Sequence, residues 1–393
     1  MSVPAALLIN SLGTGGAERA LAAAASELRR RGRDVRIVCL ESTPTDAALT
    51  VSFPVVQLSA MSPTAGGPRK LIALPLLSFR LARYVAQERV KVVMSHLFRA
   101  NFVNILSRLI AFSHHAAIVV NHTRVSRLSS EGMQGRINTL LCRWLYPKAD
   151  LVASVSKGAA AECARLLGLP SDQTVILHDP IATAASSAAL PGSVAGGDAR
   201  DSRTIVCVGR LVALKRFQDL IMAFARVARD DPRLRLRIAG DGPERTALQQ
   251  LSEKLEIQER VTFLGMVSEP SHSLAGCACF VSSSETEGFG MAIVEALALG
   301  VPVIASDCAY GPREILSPAS DPLRLLEPEA DFEKAPYGIL YPVGSIDALE
   351  KALRKVLGDS DLRAEFSRKG TSRAADFSVE RAADAYQRLL YPA

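Results

Sequence analysis

Aromatic residues make up only 5% of the 393-residue chain, and tryptophan occurs once. With no RNP, zinc-finger or helix-turn-helix pattern in view, that scarcity sets nucleic acid aside as a partner. Long hydrophobic runs are missing too. Leu71 to Phe79, nine residues broken by Pro75 and Ser78, is far short of the roughly 20 that cross a bilayer. Met1 to Ala6 lacks the basic segment that opens a secretory signal, so the expected location is the cytoplasm. The cysteines are seven, an odd number, scattered from Cys39 to Cys308 and set mostly in apolar surroundings. Reduced, buried thiols are expected. Cys277 and Cys279 have no matching pair of Cys or His nearby, which argues against zinc.

What is present is ordinary globular composition, 48% hydrophobic and 22% charged, on a chain long enough for two domains. Charge is shared unevenly. Residues 1–200 hold 22 Lys+Arg and 12 Asp+Glu, while residues 201–393 hold 24 and 28, so the halves are +10 and −4. A basic first half points to an anionic surface, such as a membrane leaflet or lipid phosphate.

The most informative stretch runs from Phe280 to Asp307. Ala278 to Val281 is apolar and β-prone, Ser282 to Gly290 reads as a loop, and Met291 to Leu299 reads as a helix that Gly300 and Pro302 stop. Val301 to Ala305 re-enters as a strand. The helix is apolar nearly all round and is expected to be buried, yet it carries Glu295 in its middle. A buried carboxylate requires a partner, either an Arg or Lys or a ligand with hydroxyls. Ahead of it, Gly288-Phe289-Gly290-Met291 puts open backbone amides at a helix N-terminus, where anions such as phosphate are stabilised.

Glu287, Gly288, Phe289, Gly290 and Glu295, followed by Gly300-Val301-Pro302-Val303-Ile304-Ala305, resemble the E-x7-E region of retaining glycosyltransferases of the GT-B fold, family 4. The resemblance implies an α/β protein of two Rossmann-like, doubly wound domains facing across a cleft. It places Glu287 near the donor sugar hydroxyls, Glu295 on the nucleotide ribose, and the amides of Gly288 to Met291 on sugar and diphosphate.

Other segments extend the likeness. A strand from Ala5 to Asn10 leads into Gly13-Thr14-Gly15-Gly16-Ala17-Glu18-Arg19 and an alanine-rich helix. Its glycines miss the G-x-G-x-x-G spacing; the string is either a plain tight turn or the family's first loop, near donor phosphate and acceptor. Strands ending at His96 and at Asn121-His122 put both histidines where parallel strands end and ligands gather. Each is either held by nearby backbone or part of a site. The resemblance implies that His122 contacts the donor sugar, while His96 and Arg99 are assigned to the acceptor side. Gly209-Arg210 and Lys215 match a G-R-x4-K element whose two cations hold the donor diphosphate. Gly265-Met266 matches the place where backbone groups meet the base. Asp179 stands where the family usually has Asn and receives no role.

Four further expectations come from local pattern. Leu71 to Val90 reads as helical, its basic residues forming either a solvated flank or a membrane-lying surface. His114 and His115 read as ordinary loop residues. Asp359-Ser360-Asp361 resembles a D-x-D metal motif but precedes a helical run, where capping is the commoner use. Val379 to Leu390 reads as a last amphipathic helix.

The expected organisation is an acceptor-binding domain over 1–182, a linker over 183–202, a nucleotide-sugar domain over 203–375, and a returning helix over 376–393. The expected reaction is transfer of a hexose or N-acetylhexosamine, with retained configuration, from a nucleoside diphosphate sugar, a UDP-sugar first, to a glycan or lipid-linked acceptor in bacterial surface polysaccharide synthesis. Catalysis is assigned to His122, Glu287, Arg210 and Lys215. No metal or other cofactor is expected, because two cations and a helix N-terminus stand in for one. Peripheral contact with an anionic membrane is expected as well. A sugar-nucleotide epimerase of the same fold and a non-catalytic glycan-binding scaffold remain as alternatives.

Overall fold

The computed structural model describes all residues except 1–3, 14, 43–50, 63–66, 123, 129–131, 182–200, 268–272 and 393. It divides into two units, Met1–Pro180 with Val379–Ala393, and Ile181–Ser378. Most of the stretch read as a linker, 183–202, lies outside the described residues. The strand after it begins at Asp201, earlier than the expected Thr204.

The first unit runs β1 (Ala5–Ile9), α1 (Gly16–Arg30), β2 (Val35–Cys39), β3 (Val55–Gln57), α2 (Gly67–Ile72), α3 (Leu74–Glu88), β4 (Val92–His96), α4 (Phe98–Ile110), β5 (Ala116–Asn121), α5 (Val125–Leu128), α6 (Gly132–Leu145), β6 (Leu151–Ser154), α7 (Lys157–Leu167) and β7 (Thr174–Ile176). Its strands pair in parallel in the order β3-β2-β1-β4-β5-β6-β7. Strands such as Val92–His96 are buried along their whole length, as parallel strands covered on both faces must be.

The second unit continues with β8 (Asp201–Val208), α8 (Phe217–Val227), β9 (Arg235–Ala239), α9 (Arg245–Lys254), β10 (Val261–Gly265), β11 (Cys277–Ser282), α10 (Met291–Ala298), β12 (Val303–Ser306), α11 (Pro312–Leu316), β13 (Glu333–Ala335), β14 (Gly338–Tyr341), α12 (Ile346–Gly358) and α13 (Ser360–Ala374). The strand order β10-β9-β8-β11-β12-β14-β13 repeats the plan of the first unit, with one antiparallel pair, β13 and β14, at the edge. In each sheet the chain first steps one way and then, after its third strand, crosses back to add strands on the other side. The reversal falls between β1 and β4 in one unit and between β8 and β11 in the other, and such a switch point opens a crevice at the carboxyl ends of its strands.

A last helix, α14 (Val379–Leu390), belongs to the first unit and packs on α1 and β4. Arg31 on the turn after α1 holds it by a 2.5 Å ion pair to Asp384 and a 2.9 Å bond to the carbonyl of Glu380.

Leu71 to Val90, read as helical, is the end of α2 followed by α3, which starts anew with Pro75 in its first turn. Two expectations are corrected by packing. His115 is no ordinary loop residue: it is buried, meets Asn104 Oδ1 at 2.8 Å and Ser113 Oγ at 3.0 Å, and burial, with help from the Arg108 charge, brings its pKa down to about 4. Glu295 is half-buried rather than buried, since α10 turns Ile293, Val294, Ala296 and Leu297 into the core and leaves Met291 and Glu295 together on its outer side. All seven cysteines are buried and none is in a disulfide. Asp359 caps α13, accepting from the Leu362 amide at 2.9 Å. Among the described residues no helix is long and apolar enough to cross a membrane.

Candidate functional site

In the second unit, β8 and β11 are hydrogen-bonded neighbours at the switch point, so the segments leaving them lie side by side. From β8 come Gly209, the exposed Arg210, and a short 3-10 turn, Ala213–Lys215. From β11 comes the loop Ser283 to Gly290. The two are stitched together by backbone and side chain: the Glu285 amide donates to the carbonyl of Leu214 at 2.8 Å, and Ser283 Oγ to that of Lys215 at 2.8 Å.

Across this seam Lys215 Nζ lies 2.5 Å from Glu287 Oε1, and Ser284 Oγ donates to the same oxygen at 2.6 Å. The pair is only partly shielded, the lysine side chain 27% and the glutamate 14% exposed. A cation and an acid therefore stand together at the rim of the switch-point crevice, each reachable from solvent. Arg210 makes no ion pair with a described residue.

The loop is fixed on its other side by the segment after β12. Thr286 Oγ1 donates to the carbonyl of Ala309 at 2.6 Å and the Glu287 amide to the same carbonyl at 3.1 Å. Gly311, at φ +100°, passes so close that a Cβ there would lie 1.8 Å from the carbonyl oxygen of Phe289. No side chain larger than hydrogen fits without moving the loop. Phe289 itself is buried, edge-on to Phe377 with centroids 5.1 Å apart. The loop thus enters α10 through Gly290, where no side chain caps the first amides. Backbone donors at such a helix start favour an anion. Glu295 lies about one turn in, beside Met291. Gly265 closes β10 by accepting from the Gly240 amide at 2.8 Å, and Met266 beyond it is 73% exposed.

Arg313, in α11 after the same segment, serves the fold. Arg313 is 7% exposed and clamps the wholly buried Asp307 through Nη2 at 2.6 Å and Nε at 3.0 Å, with Glu333 3.0 Å away. A buried guanidinium with two carboxylates satisfies its charge within the fold.

In the first unit the carboxyl ends of β1, β4 and β5 carry Asn10, His96 and Asn121-His122. His96 is fully buried, its ring stacked on Tyr386 of α14 with centroids 5.9 Å apart. The acceptor-side position assigned to it is therefore not an open one. His96 Nδ1 is 2.9 Å from His122 Nε2, and His122 Nδ1 is 3.3 Å from Asp179 Oδ2. Because the carboxylate accepts, His122 donates from Nδ1, which leaves its Nε2 to share one hydrogen bond with His96 Nδ1. Burial above all, and then the neighbouring His122, holds the pKa of His96 well below the usual histidine value. Asp179, given no role from the sequence, thus orients His122.

Arg99 meets Glu41 at 2.5 Å and Lys70 lies 3.4 Å from the same oxygen. Among the described residues, His96 Nε2, Asn10 Oδ1 and both amide atoms of Asn121 are buried without a hydrogen-bond partner. These orphaned polar atoms lie at the carboxyl ends of β1, β4 and β5, on either side of the switch point, where ligands of such sheets gather. Gly15 and Gly16, at the start of α1, leave β1 at the same edge. The sequence reading missed Ser283, Ser284, Asp179, Asn10 and Glu41. The one local signal was a polar residue ending an apolar strand.

Two family models cover the chain in succession. The one described as Glycosyltransferase Family 4 matches residues 14–185, and the one described as Glycosyl transferases group 1 matches residues 195–373. The chain belongs to the GT-B glycosyltransferases of family 4. It is accordingly a transferase enzyme.

Among its relatives is the N-acetylgalactosamine-N,N'-diacetylbacillosaminyl-diphospho-undecaprenol 4-alpha-N-acetylgalactosaminyltransferase of Campylobacter jejuni, 26% identical over 390 residues, 98% of either chain. The lipopolysaccharide core biosynthesis glycosyltransferase LpsE of Rhizobium meliloti is 29% identical over 191 residues, 48% of this chain and 50% of the other. The chain thus spans nearly all of the first relative and about half of the second. Among solved structures, HepE of Anabaena with UDP and glucose superposes with TM-score 0.75 at 19% identity, covering all of both chains. Sucrose-phosphate synthase of Thermosynechococcus elongatus gives 0.77 at 21%, over 98% of each. At these identities the structures speak for the fold.

Proposed function

We propose that this glycosyltransferase moves a hexose or N-acetylhexosamine from a UDP-sugar to a lipid-linked glycan, retaining the anomeric configuration, in the synthesis of a bacterial surface polysaccharide. The observation that carries the reading is the Lys215–Glu287 pair beside the uncapped start of α10. A diphosphate arriving there meets Lys215, Arg210 and the amides from Gly288 to Met291. Glu287 is left to accept hydrogen bonds from the sugar hydroxyls and Glu295 those of the ribose. The name of the Campylobacter relative, with its diphospho-undecaprenol acceptor, supports a lipid-linked acceptor, and the UDP held by HepE supports the donor.

In this reading the acceptor oxygen bonds to the anomeric carbon from the side the diphosphate leaves. The bond to the leaving phosphate oxygen breaks, and that oxygen takes the acceptor's proton. The charge that builds on it is stabilised by Arg210, Lys215 and the helix start, with no metal. Charge-assisted hydrogen bonds of this kind contribute about 1.5–3 kcal/mol each. The contact of His122 with the sugar rests on the family resemblance alone.

The test is thermal stabilisation by a panel of UDP-, GDP- and ADP-sugars, followed by NMR of the product's anomeric proton. A ligand at about 100 times its Kd adds about 2.7 kcal/mol. A shift with UDP-sugars and an axial product from an axial donor are expected. An inverted product, or no response to any nucleoside diphosphate sugar, would overturn the reading.

A further inference from the structure

The helices α3, α4 and α6 cover one face of the first sheet. Leu77 and Leu81 of α3, Phe102 of α4 and Leu145 of α6 share a core with strand residues Leu8 and Val93. Helix α4 is buried from Ala100 to Ile105, so α3 and α6 supply the outer surface of this layer.

That surface is unusual in its chemistry. On α6 the residues Met133, Ile137, Leu140 and Trp144 repeat at spacings of four, three and four, which places them on one side of the helix. They are 71%, 37%, 67% and 56% exposed. The side facing the core holds Gly135, Cys142 and Leu145, so α6 is apolar inward and outward alike. On the outer side of the α2–α3 pair, Ile72, Leu76 and Phe79 are 78%, 55% and 53% exposed. The two stripes are interleaved with cations. Arg69, Arg83, Arg136, Arg143 and Lys148 are all exposed, and none forms an ion pair with a described residue. Lys148 Nζ lies 5.6 Å from the centre of the Trp144 ring. Residues 67–148 contain 13 Lys+Arg and only two Asp+Glu, a surplus larger than that of the entire chain.

We propose that the outer face of α3 and α6 docks on the surface of an anionic phospholipid leaflet. Apolar side chains enter the headgroup boundary, Trp144 sits at the interface, and the arginines reach lipid phosphates. Charge selects this occupant. A second copy of the chain would set the same positive surface against itself, whereas a leaflet carries the opposite sign. The surface deepens the lipid-linked acceptor reading by naming the part of the protein that meets the lipid, and it rests on that reading only for its purpose.

Trp144, the chain's only tryptophan, makes the test direct. The full-length protein is mixed with phosphatidylcholine vesicles, with or without about one-quarter phosphatidylglycerol, and followed by flotation and tryptophan emission. Flotation with the anionic vesicles, a blue shift of emission, and release at high salt are expected. Replacing Arg136 and Arg143 by Ser should weaken partitioning roughly tenfold or more. Replacing Ile137 and Leu140 by Ser should abolish the blue shift while leaving the circular dichroism unchanged. Equal binding to neutral and anionic vesicles, or no binding by folded protein, would overturn the proposal. So would concentration-dependent self-association that Leu140→Ser abolishes. No donor or acceptor is present in the assay, so its failure leaves the transferase reading standing, and failure of the donor panel leaves this surface standing.

Discussion

Lys215→Ala separates binding of a diphosphate from stability of the fold. The Lys215–Glu287 pair is partly solvated, and pairs of that kind contribute only about 0–1 kcal/mol to folding. For a domain of this size that is a fall in Tm of no more than about 2–4 °C. The same ammonium, if it holds the leaving diphosphate, contributes about 1.5–3 kcal/mol to the transition state. Its loss should then lower kcat/KM by about tenfold to a hundredfold. The companion Glu287→Gln removes the carboxylate that occupies Lys215. It should leave UDP binding unchanged or tighter while turnover falls, because the sugar loses its acceptor of hydrogen bonds. Calorimetric titration with UDP, steady-state transfer from labelled donor and a melting curve on each variant give the three readouts. Wild-type kcat/KM in Lys215→Ala would refute the reasoning. So would a loss of activity that merely follows a collapse of Tm.

Three further outcomes are expected. Gly311→Ala, which drives a Cβ into the Phe289 carbonyl at a positive φ, should destabilise by roughly 1–3 kcal/mol and weaken UDP binding; a melting curve and titration like those of the parent would contradict the packing account. His115 is held near pKa 4 in the folded chain, so below the ordinary histidine value of about 6.5 the unfolded chain binds the extra proton. Stability should fall as pH drops from about 6.5 towards 4, by up to about 3 kcal/mol, and urea midpoints against pH should show a shallower fall in His115→Gln. Asp359→Ala should cost about 1 kcal/mol through loss of the cap on α13 while transfer persists in excess EDTA; activity that vanishes with EDTA and returns with a divalent cation would refute the metal-free proposal.

The sequence by itself determined most of the local chemistry. The apolar run of β11, the serine and glycine loop, the short apolar α10 and the strand β12 are encoded in neighbouring residues, so their order and the E-x7-E spacing were readable. The cap at Asp359 was readable for the same reason. Short, half-polar segments at sheet edges, Val55–Gln57 and Glu333–Ala335, were not, because they carry too few apolar residues to set a period.

Only the tertiary structure decided the pairings. Lys215 meets Glu287 because two strands distant in the chain are neighbours at the point where the sheet order reverses. His96, His122 and Asp179 meet because three parallel strands end at one edge, and Tyr386 closes on His96 because the last helix returns to the first unit. Helix α6 is apolar on two sides, Cys142 and Leu145 facing the core and Leu140 and Trp144 facing water, and only burial tells the two apart. Periodicity records which residues share a face, and packing alone settles which face is covered.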